Sequence, residues 1–271
     1  MIQHAPEREM RDGPVSGPAL FARYAYPPNA LGYCGPGDPA ALLGAATSTS
    51  GTETLTALAR RFEGAWPYLQ LIAACNRIDD PLDRRVVEAY WVGNSLLDRV
   101  PRGALTSSLE DRFAHRAGRQ FESIAAAVTP LGGIAHHSFH VFAVYPWLGL
   151  LRAGMDGPPL IVLDRCRIRW GIVDALVGDF VVVRSSPLVF DGSRLVLAKE
   201  REELIRRSVE GVGFVENLEV GDLVSLHWDW LCDRLSKSAL GRLQHYTTRN
   251  LDAVNALARP GPAVAVDAYG G

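Results

Sequence analysis

The sequence predicts an α+β protein, with a mostly helical N-terminal part followed by a small β-barrel and a C-terminal helix. Apolar residues recur at a spacing close to 3.6 before about residue 157 and alternate after it, which indicates helices first and strands second. Gly-Asp and Asp-Gly pairs lie between apolar runs of the second part, as is typical of β-hairpins. The chain has 271 residues, 48% hydrophobic and 21% charged, a composition typical of globular proteins.

These patterns divide the chain into four predicted segments. Residues 1–19 carry charges, Gly and Pro without periodicity, which predicts a flexible arm, and the Ala-, Gly- and Pro-rich residues 258–271 predict a flexible tail. Residues 20–157 are predicted to form a mostly α-helical domain, and residues 158–257 a small barrel domain. The Gly-Pro-Pro sequence within residues 156–159 predicts a linker between the two domains.

The helical domain is predicted from its periodic segments. Tyr90 and Trp91 belong to a pattern of helical spacing, and Asp83 precedes it as a start signal. Residues 21–38 are dense in Pro, Gly and aromatic residues, so we expect fixed turns there, with the aromatic rings buried. Residues 134–152 form a strongly apolar run. The predicted helices are residues 40–46, 54–62, 68–76, 84–98 and 109–127.

The barrel domain is predicted from alternating apolar segments. Gly178 and Asp179 predict one hairpin turn, and Asp191 and Gly192 predict another. Between the strands we expect a short helix at residues 200–208. The predicted strands are residues 165–176, 180–184, 188–190, 195–197, 212–215 and 223–228, and residues 237–257 are the predicted terminal helix.

Charge and cysteine content exclude several classes of function. Twenty-eight basic residues against thirty acidic residues give a net charge of −2, which argues against nucleic acid or an anionic membrane as a partner. The four cysteines form no C-x-x-C pair, so neither a disulfide scaffold nor a structural zinc site is expected. No run of 18 apolar residues and no signal-peptide pattern occurs. The sequence therefore predicts a cytoplasmic protein.

Cys166 and His227 are the first candidate site. They lie at the predicted start of the first barrel strand and near the end of the last, and these strands commonly pair in small barrels. A thiolate and an imidazole would form a site for iron, copper or zinc, and the imidazole could lower the pKa of the thiol. The alternative is a small buried cysteine and a hydrogen-bonded core histidine.

Three histidines within five residues form the second candidate site. On a helix, His136 and His140 would share one face, as would His137 and His140, so two imidazoles could bind one metal ion. On a strand, His137 would face the opposite way. We expect a ligand or catalytic role for at least one of them, because unpaired polar groups are costly to bury. The alternative is a hydrogen-bonded helix start packed beneath Trp147.

Cys34 is a third candidate, for a catalytic role. It lies between Tyr33 and Gly35 in a turn rich in Gly and Pro, which presents a side chain rather than packing it in a core. Cys75 and Cys232 follow apolar neighbours, so we expect both in the core.

The order of these features resembles a known family over residues 165–256. A cysteine, an apolar strand with a Gly-Asp hairpin, the sequence from Val220 to His227 and an Ala/Leu-rich helix are similar to the hydrogenase-assembly chaperones of the HypC/HupF type. The resemblance implies a small β-barrel with a C-terminal helix that holds the Fe(CN)2CO precursor of the [NiFe] site. It also implies that Cys166 matches the iron-binding cysteine and His227 the strand histidine. Residues 20–157 are similar only to uncharacterised actinobacterial proteins.

Two functions are therefore predicted. The first is an accessory protein of metallocofactor assembly, in which Cys166 binds an iron unit for a hydrogenase large subunit or a maturation scaffold protein. The second is an oxidoreductase with a metal or haem at His136, His137 and His140. Whether the chain is an enzyme stays open, and a binding adaptor without chemistry is a third reading.

Overall fold

The computed structural model describes residues 15–47, 52–117, 131–145, 147–155 and 157–257, together with residues 125 and 128. It confirms a mixed α+β protein. The helices are α1 (Gly17–Ala30), α2 (Pro39–Thr47), α3 (Thr52–Ala59), α4 (Trp66–Cys75), α5 (Arg84–Trp91), α6 (Arg102–Ala117), α7 (His137–Phe139), α8 (Trp147–Arg152), α9 (Pro158–Cys166) and α10 (Lys237–Ala256), with a 3-10 turn at Leu97–Arg99 and a π-helical turn at His140–Val144. The strands are β1 (Arg169–Val177), β2 (Phe180–Ser185), β3 (Leu188–Phe190), β4 (Leu195–Leu197), β5 (Arg201–Arg206), β6 (Ser208–Val209), β7 (Val212–Gly213), β8 (Leu223–His227) and β9 (Trp230–Arg234).

Helix α1 replaces the turns expected over residues 21–30, whereas residues 31–38, between α1 and α2, form turns and bends as predicted. Ser16 caps the start of α1, and the helix continues to Ala30 although Pro27 and Pro28 stand in its last turn. The prolines lack an N–H group, but their carbonyl oxygens still accept hydrogen bonds from the residues that follow. Burial of the aromatic face of α1 favours the helix in spite of them, and the aromatic rings are buried as expected. The predicted arm overlaps this helix at residues 17–19; residues 1–14 lie outside the described part of the chain.

The other helices of the N-terminal half lie near their predicted positions, except at two ends. Helix α5 ends at Trp91 rather than at residue 98, because Gly93 has a φ of +96° and its N–H bonds to the Glu88 carbonyl. Helix α6 begins at Arg102, seven residues before the predicted start at 109. The last residues of that predicted helix, and the predicted tail at 258–271, lie outside the described part of the chain.

The segment before the first strand was predicted wrongly. Residues 156–159 were expected as a linker, but Pro158 and Pro159 begin α9, where their missing N–H groups cost nothing. Strand β1 begins at Arg169 rather than at residue 165. Cys166 therefore ends a helix and does not begin a strand.

The strand pairings form a ring. The hairpin of β1 and β2 is confirmed, β1 also pairs with β8, and the order β1–β2–β5–β9–β8 closes on itself. Closure between β5 and β9 uses one parallel residue pair, Arg206 and Trp230. The predicted second hairpin is confirmed as β3 and β4, but it forms a separate two-stranded sheet, as do β6 and β7.

Strand β5 replaces the short helix predicted at residues 200–208. It pairs with β2, so that Glu202 lies opposite Arg184 and Glu203 opposite Val183. Because the backbone is extended, Glu203 reaches the buried Arg169. A helix at residues 200–208, which local propensity favours, would instead have placed the charged side chains of this segment on one exposed face. Strand β9 was not predicted: the last predicted strand ended at residue 228, and no element was assigned to residues 229–236.

One buried cluster joins the two halves of the chain. Phe21 and Trp91 from the helical half belong to the same core as Trp230 and Cys232, and Cys232 is fully buried as expected. The domain boundary at residue 157 stays a prediction. None of the described helices is long and apolar enough to cross a membrane.

Candidate metal centre

Three segments that are distant in sequence place their metal-binding atoms together. His137 comes from α7, Cys166 from the last position of α9 and His227 from the end of β8. One donor atom of each lies within 4.8 Å of the donors of the other two. These residues line a cavity of about 160 Å³. The structure thus brings together Cys166 and His227, as the pattern of strands led us to expect, and adds His137 to them.

His227 has the orientation of a metal ligand. Its Nδ1–H donates a hydrogen bond of 2.6 Å to the carbonyl oxygen of Tyr24, which leaves a lone pair on Nε2. Nε2 is buried and has no hydrogen-bond partner in the described part of the chain. Burial and the neighbouring His137 hold the pKa of His227 well below its ordinary value, so the imidazole is neutral. A buried lone pair of this kind is costly unless it meets a cation or a donor.

His137 is held at both nitrogens. Nε2–H donates to the carbonyl oxygen of Cys166 over 2.8 Å, and the hydroxyl of Tyr90 donates to Nδ1 over 3.1 Å. Burial lowers the pKa of His137 to about 4. This imidazole is therefore neutral, and it must release one of the two bonds to bind a metal ion. Release of the Nδ1 bond would leave the Tyr90 hydroxyl free to donate to another group in the cavity.

The environment of Cys166 corrects one expectation. A neighbouring imidazole was expected to lower the pKa of the thiol, but burial raises it, the nearby Cys34 raises it further, and Trp228 opposes the rise only in part. A neutral imidazole supplies no positive charge to stabilise a thiolate. A metal cation in the cavity would supply that charge and would deprotonate the thiol on binding.

Cys34 and His140 line the same cavity from other segments. Cys34 is half-buried, and burial raises the pKa of its thiol to about 12, so the thiol is protonated at neutral pH. His140 is also neutral, because burial holds its pKa well below the ordinary value. Its Nδ1 lies 3.4 Å from the Tyr68 hydroxyl, and a Cβ at Gly64 would lie 3.1 Å from its Nε2. Because Gly64 has no side chain, nothing from this residue covers Nε2 of His140.

His136 does not join these residues. It precedes α7 as the N-cap, and its Nδ1 accepts hydrogen bonds from the backbone N–H and the hydroxyl of Ser138. The helical face expected to join His136 with His140 does not form, because the helix begins only after His136. Burial lowers the pKa of His136 to about 3. For this residue the structure matches the alternative reading, a hydrogen-bonded helix start.

Comparison with known proteins gives one match. The DUF6390 family, described as a family of unknown function, matches residues 13–260. The chain belongs to the DUF6390 family. Among curated proteins and solved structures, none matches it.

Aromatic residues to which the sequence analysis gave no role in a site complete the cavity of this DUF6390 member. Trp91 packs against both site imidazoles, with ring centroids 4.6 Å from His137 and 5.7 Å from His227. Trp91 and Trp147 line the cavity, and their indole N–H groups are buried without a partner in the described part of the chain. No motif could have revealed these residues, since tryptophans on apolar helices are ordinary core residues.

The cavity wall at Cys34 depends on Asn29. Its side-chain NH2 donates to the carbonyl oxygens of Cys34 and Pro36, over 2.8 and 2.6 Å. Asn29→Ala leaves both oxygens without this donor, and we expect a loss of about 2–4 kcal/mol in the free energy of unfolding, measured with urea. Asp38→Ala removes only an exposed bond to Ala41 N–H and should cost about 1 kcal/mol. Equal losses for the two variants would contradict this role.

Proposed function

We propose that this chain is an accessory protein of metallocofactor assembly that binds an iron unit through the thiolate of Cys166. The observation that supports it best is the buried lone pair on His227 Nε2 beside the sulfur of Cys166 and the imidazole of His137. One soft sulfur donor and two neutral imidazoles suit iron, copper or zinc rather than calcium or magnesium. Burial of the donors excludes water, which favours retention of the metal until it is transferred.

The walls of the cavity favour a metal that carries small ligands of its own. The indole N–H groups of Trp91 and Trp147 are buried donors without an acceptor among the described residues, and the Tyr90 hydroxyl becomes a further donor if His137 binds the metal. Cyanide bound to iron exposes a nitrogen that accepts hydrogen bonds, whereas carbon monoxide suits an apolar wall. The unpaired donors and the soft sulfur ligand support an Fe(CN)2CO unit as the proposed cargo.

The similarity to hydrogenase chaperones of the HypC/HupF type adds a partner to the proposal. A small barrel with a C-terminal helix, with a cysteine and a strand histidine at one end, is the arrangement that the resemblance implies. We propose that the unit comes from a maturation scaffold protein and goes to the apo large subunit of a [NiFe] hydrogenase. Cys166 would bind the iron, and His227 and His137 would complete or assist the site.

The alternative, an oxidoreductase with a metal or haem at His136, His137 and His140, has less support. His136 caps a helix and does not line the cavity. The cavity volume of about 160 Å³ is also below the roughly 300–1,000 Å³ of pockets for larger cofactors and drug-sized ligands, so a haem would require the cavity to open.

The proposal is tested on full-length protein isolated from a host that expresses a [NiFe] hydrogenase. Infrared spectra should contain stretching bands of carbon monoxide and cyanide, and Cys166→Ala should abolish them, because the thiolate is the only anionic ligand of the proposed site. Cys75→Ala is the matched control: Cys75 lies on α4, is half-buried and does not line the cavity, so the bands should remain.

A cobalt titration separates metal binding in general from binding of the iron unit. Wild-type protein should develop thiolate-to-cobalt charge-transfer absorption, Cys166→Ala should lose it, and His227→Ala should weaken binding at least about tenfold. His245→Ala, a change on the exposed face of α10, should behave as wild type. Cobalt binding without the infrared bands would contradict the hydrogenase assignment, and absence of both would contradict the metal centre.

A further inference from the structure

Trp228 follows His227 directly in the chain, and the proposed function gives it no role. Its side chain lines the metal cavity and is 5% exposed. The indole N–H is buried and has no hydrogen-bond partner in the described part of the chain. A buried donor without an acceptor costs free energy, so its presence in the wall of a cavity points to an acceptor that is gained when the cavity is occupied.

The backbone of Trp228 is held beside Cys166. Its N–H donates a hydrogen bond of 2.7 Å to the carbonyl oxygen of Arg165, the residue before Cys166, and its carbonyl oxygen accepts one from Arg169. These bonds fix a left-handed conformation with a φ of +53°, which is unfavourable for a bulky residue. The neighbouring contacts therefore hold the indole in the cavity wall, next to the end of α9, in spite of backbone strain.

Tyr33 fixes the indole ring from the side of the solvent. The two rings stack, with their centroids 4.2 Å apart and their planes 23° apart, and the Tyr33 side chain is 57% exposed. Stacking occupies a face of the indole, whereas the N–H group donates in the plane of the ring. The contact with Tyr33 therefore orients the ring but cannot satisfy its donor.

The sulfur of Cys166 lies where it can accept a hydrogen bond from the indole. Trp228 opposes, through such a bond, the rise that burial causes in the pKa of the Cys166 thiol. A thiol sulfur is a weak acceptor, whereas hydrogen bonds to ionised groups are shorter and about twice as strong. The donor is therefore fully satisfied when Cys166 carries negative charge, and a bound metal ion brings the thiol into that state.

We propose that the indole N–H of Trp228 donates a hydrogen bond to the metal-bound sulfur of Cys166 and thereby tunes the metal–sulfur bond. The hydrogen bond lowers the energy of the sulfur lone pairs, so the transfer of an electron from sulfur to metal requires more energy. Trp228 acts through Cys166 and is a positioning residue. The inference rests on the metal centre of the proposed function, but not on the identity of the metal.

Cobalt titration of the full-length protein, followed in the thiolate-to-cobalt charge-transfer band, tests the proposal. Trp228→Phe keeps an aromatic ring for the stack with Tyr33 and removes the N–H. The band should move to lower energy, because the sulfur lone pairs lose the stabilising hydrogen bond. Binding should weaken about 10- to 100-fold, the loss expected for one hydrogen bond to a charged group.

Trp230→Phe is the matched control. Trp230 is also 5% exposed, and its indole N–H is also buried without a partner among the described residues. It does not line the cavity, so its variant should keep the wild-type band energy and cobalt affinity. Because the two substitutions remove the same atoms from equally buried positions, a general loosening of the fold would affect both variants alike.

A second measurement observes the hydrogen bond in the wild-type protein. In protein labelled on the indole nitrogens of its tryptophans, zinc should move the N–H resonance of Trp228 downfield in nuclear magnetic resonance spectra. The resonance is assigned by its absence from Trp228→Phe. In Cys166→Ala, which lacks the acceptor, zinc should leave it unmoved.

Three results would overturn the proposal: a wild-type band energy in Trp228→Phe, an equal shift of the band in Trp230→Phe, or a Trp228 resonance that zinc does not move. Failure of the proposed function gives a different pattern, in which the infrared bands are absent while the cobalt and zinc results hold. A wild-type protein that binds no cobalt would overturn both proposals.

Discussion

Glu203→Ala should lower the free energy of unfolding by about 3–5 kcal/mol, because it leaves a buried arginine without its counter-charge. The side chain of Arg169 is 1% exposed and forms an ion pair with Glu203. A second oxygen of Glu203 lies 3.1 Å from Arg165. Burial by itself would raise the pKa of Glu203, but Arg169, Ser185 and Arg165 outweigh it and hold the pKa below the ordinary value. Glu203 is therefore ionised and compensates two cations.

Urea denaturation at pH 7 measures this loss. Glu200→Ala is the control, since the Glu200 side chain is 53% exposed and lies 4.0 Å from Arg184, and exposed pairs contribute at most about 1 kcal/mol. A double variant, Arg169→Met with Glu203→Met, should be more stable than Glu203→Ala, because it removes the buried charge with its partner. If Glu203→Ala costs no more than Glu200→Ala, the ion pair does not stabilise the fold.

The same ion pair connects strand β5 to the candidate metal centre. Arg169 also donates to the carbonyl oxygen of Trp228, the residue that follows His227. Trp228 has a φ of +53°, a left-handed conformation that is unfavourable for a bulky residue and persists only where neighbouring contacts hold it. We therefore expect Glu203→Ala to weaken cobalt binding as well, although Glu203 does not line the cavity.

Part of this site could be predicted from the sequence. The Gly-Asp turn between β1 and β2 and the alternating apolar segments predicted a small barrel. In such a barrel the first and last strands pair, and this was sufficient to predict that the Cys166 region lies near His227. The pattern did not reveal that Cys166 ends a helix, because Pro158 and Pro159 serve equally in a linker and in the first turn of a helix. The contribution of His137 depends on how α7 packs against β8, a contact between distant segments that no local pattern contains.

The errors in the fold have the same origin. Prolines at positions 27 and 28 predicted turns, yet α1 forms because its buried aromatic face stabilises it. The charged residues of β5 predicted a helix, yet partners on neighbouring strands stabilise the extended backbone. In both cases tertiary contacts outweigh local propensity. The conformation of each segment depends on residues elsewhere in the chain, so the sequence of the segment alone cannot predict it.

The four buried histidines should make the fold sensitive to mild acid. Burial lowers the pKa of His136 to about 3 and that of His137 to about 4, and it holds those of His140 and His227 well below the ordinary value. In the unfolded chain each has a pKa of about 6.5, so between pH 7 and pH 5 only the unfolded state takes up protons. Stability must therefore fall as the pH falls through this window.

Between pH 7 and pH 5, each buried histidine should lower the free energy of unfolding by about 2 kcal/mol. The sum over the four histidines is comparable with the whole stability of an ordinary domain. Urea midpoints measured across this range, with a chelator present to exclude metal binding, test the prediction. His136→Asn keeps an acceptor at the N-cap and should reduce the dependence on pH by about one quarter, whereas His245→Asn, at an exposed position, should not change it. Stability that stays constant from pH 7 to pH 5 would show that these imidazoles are not buried in neutral form, and the lone pair on His227 Nε2 would then not be available to a metal.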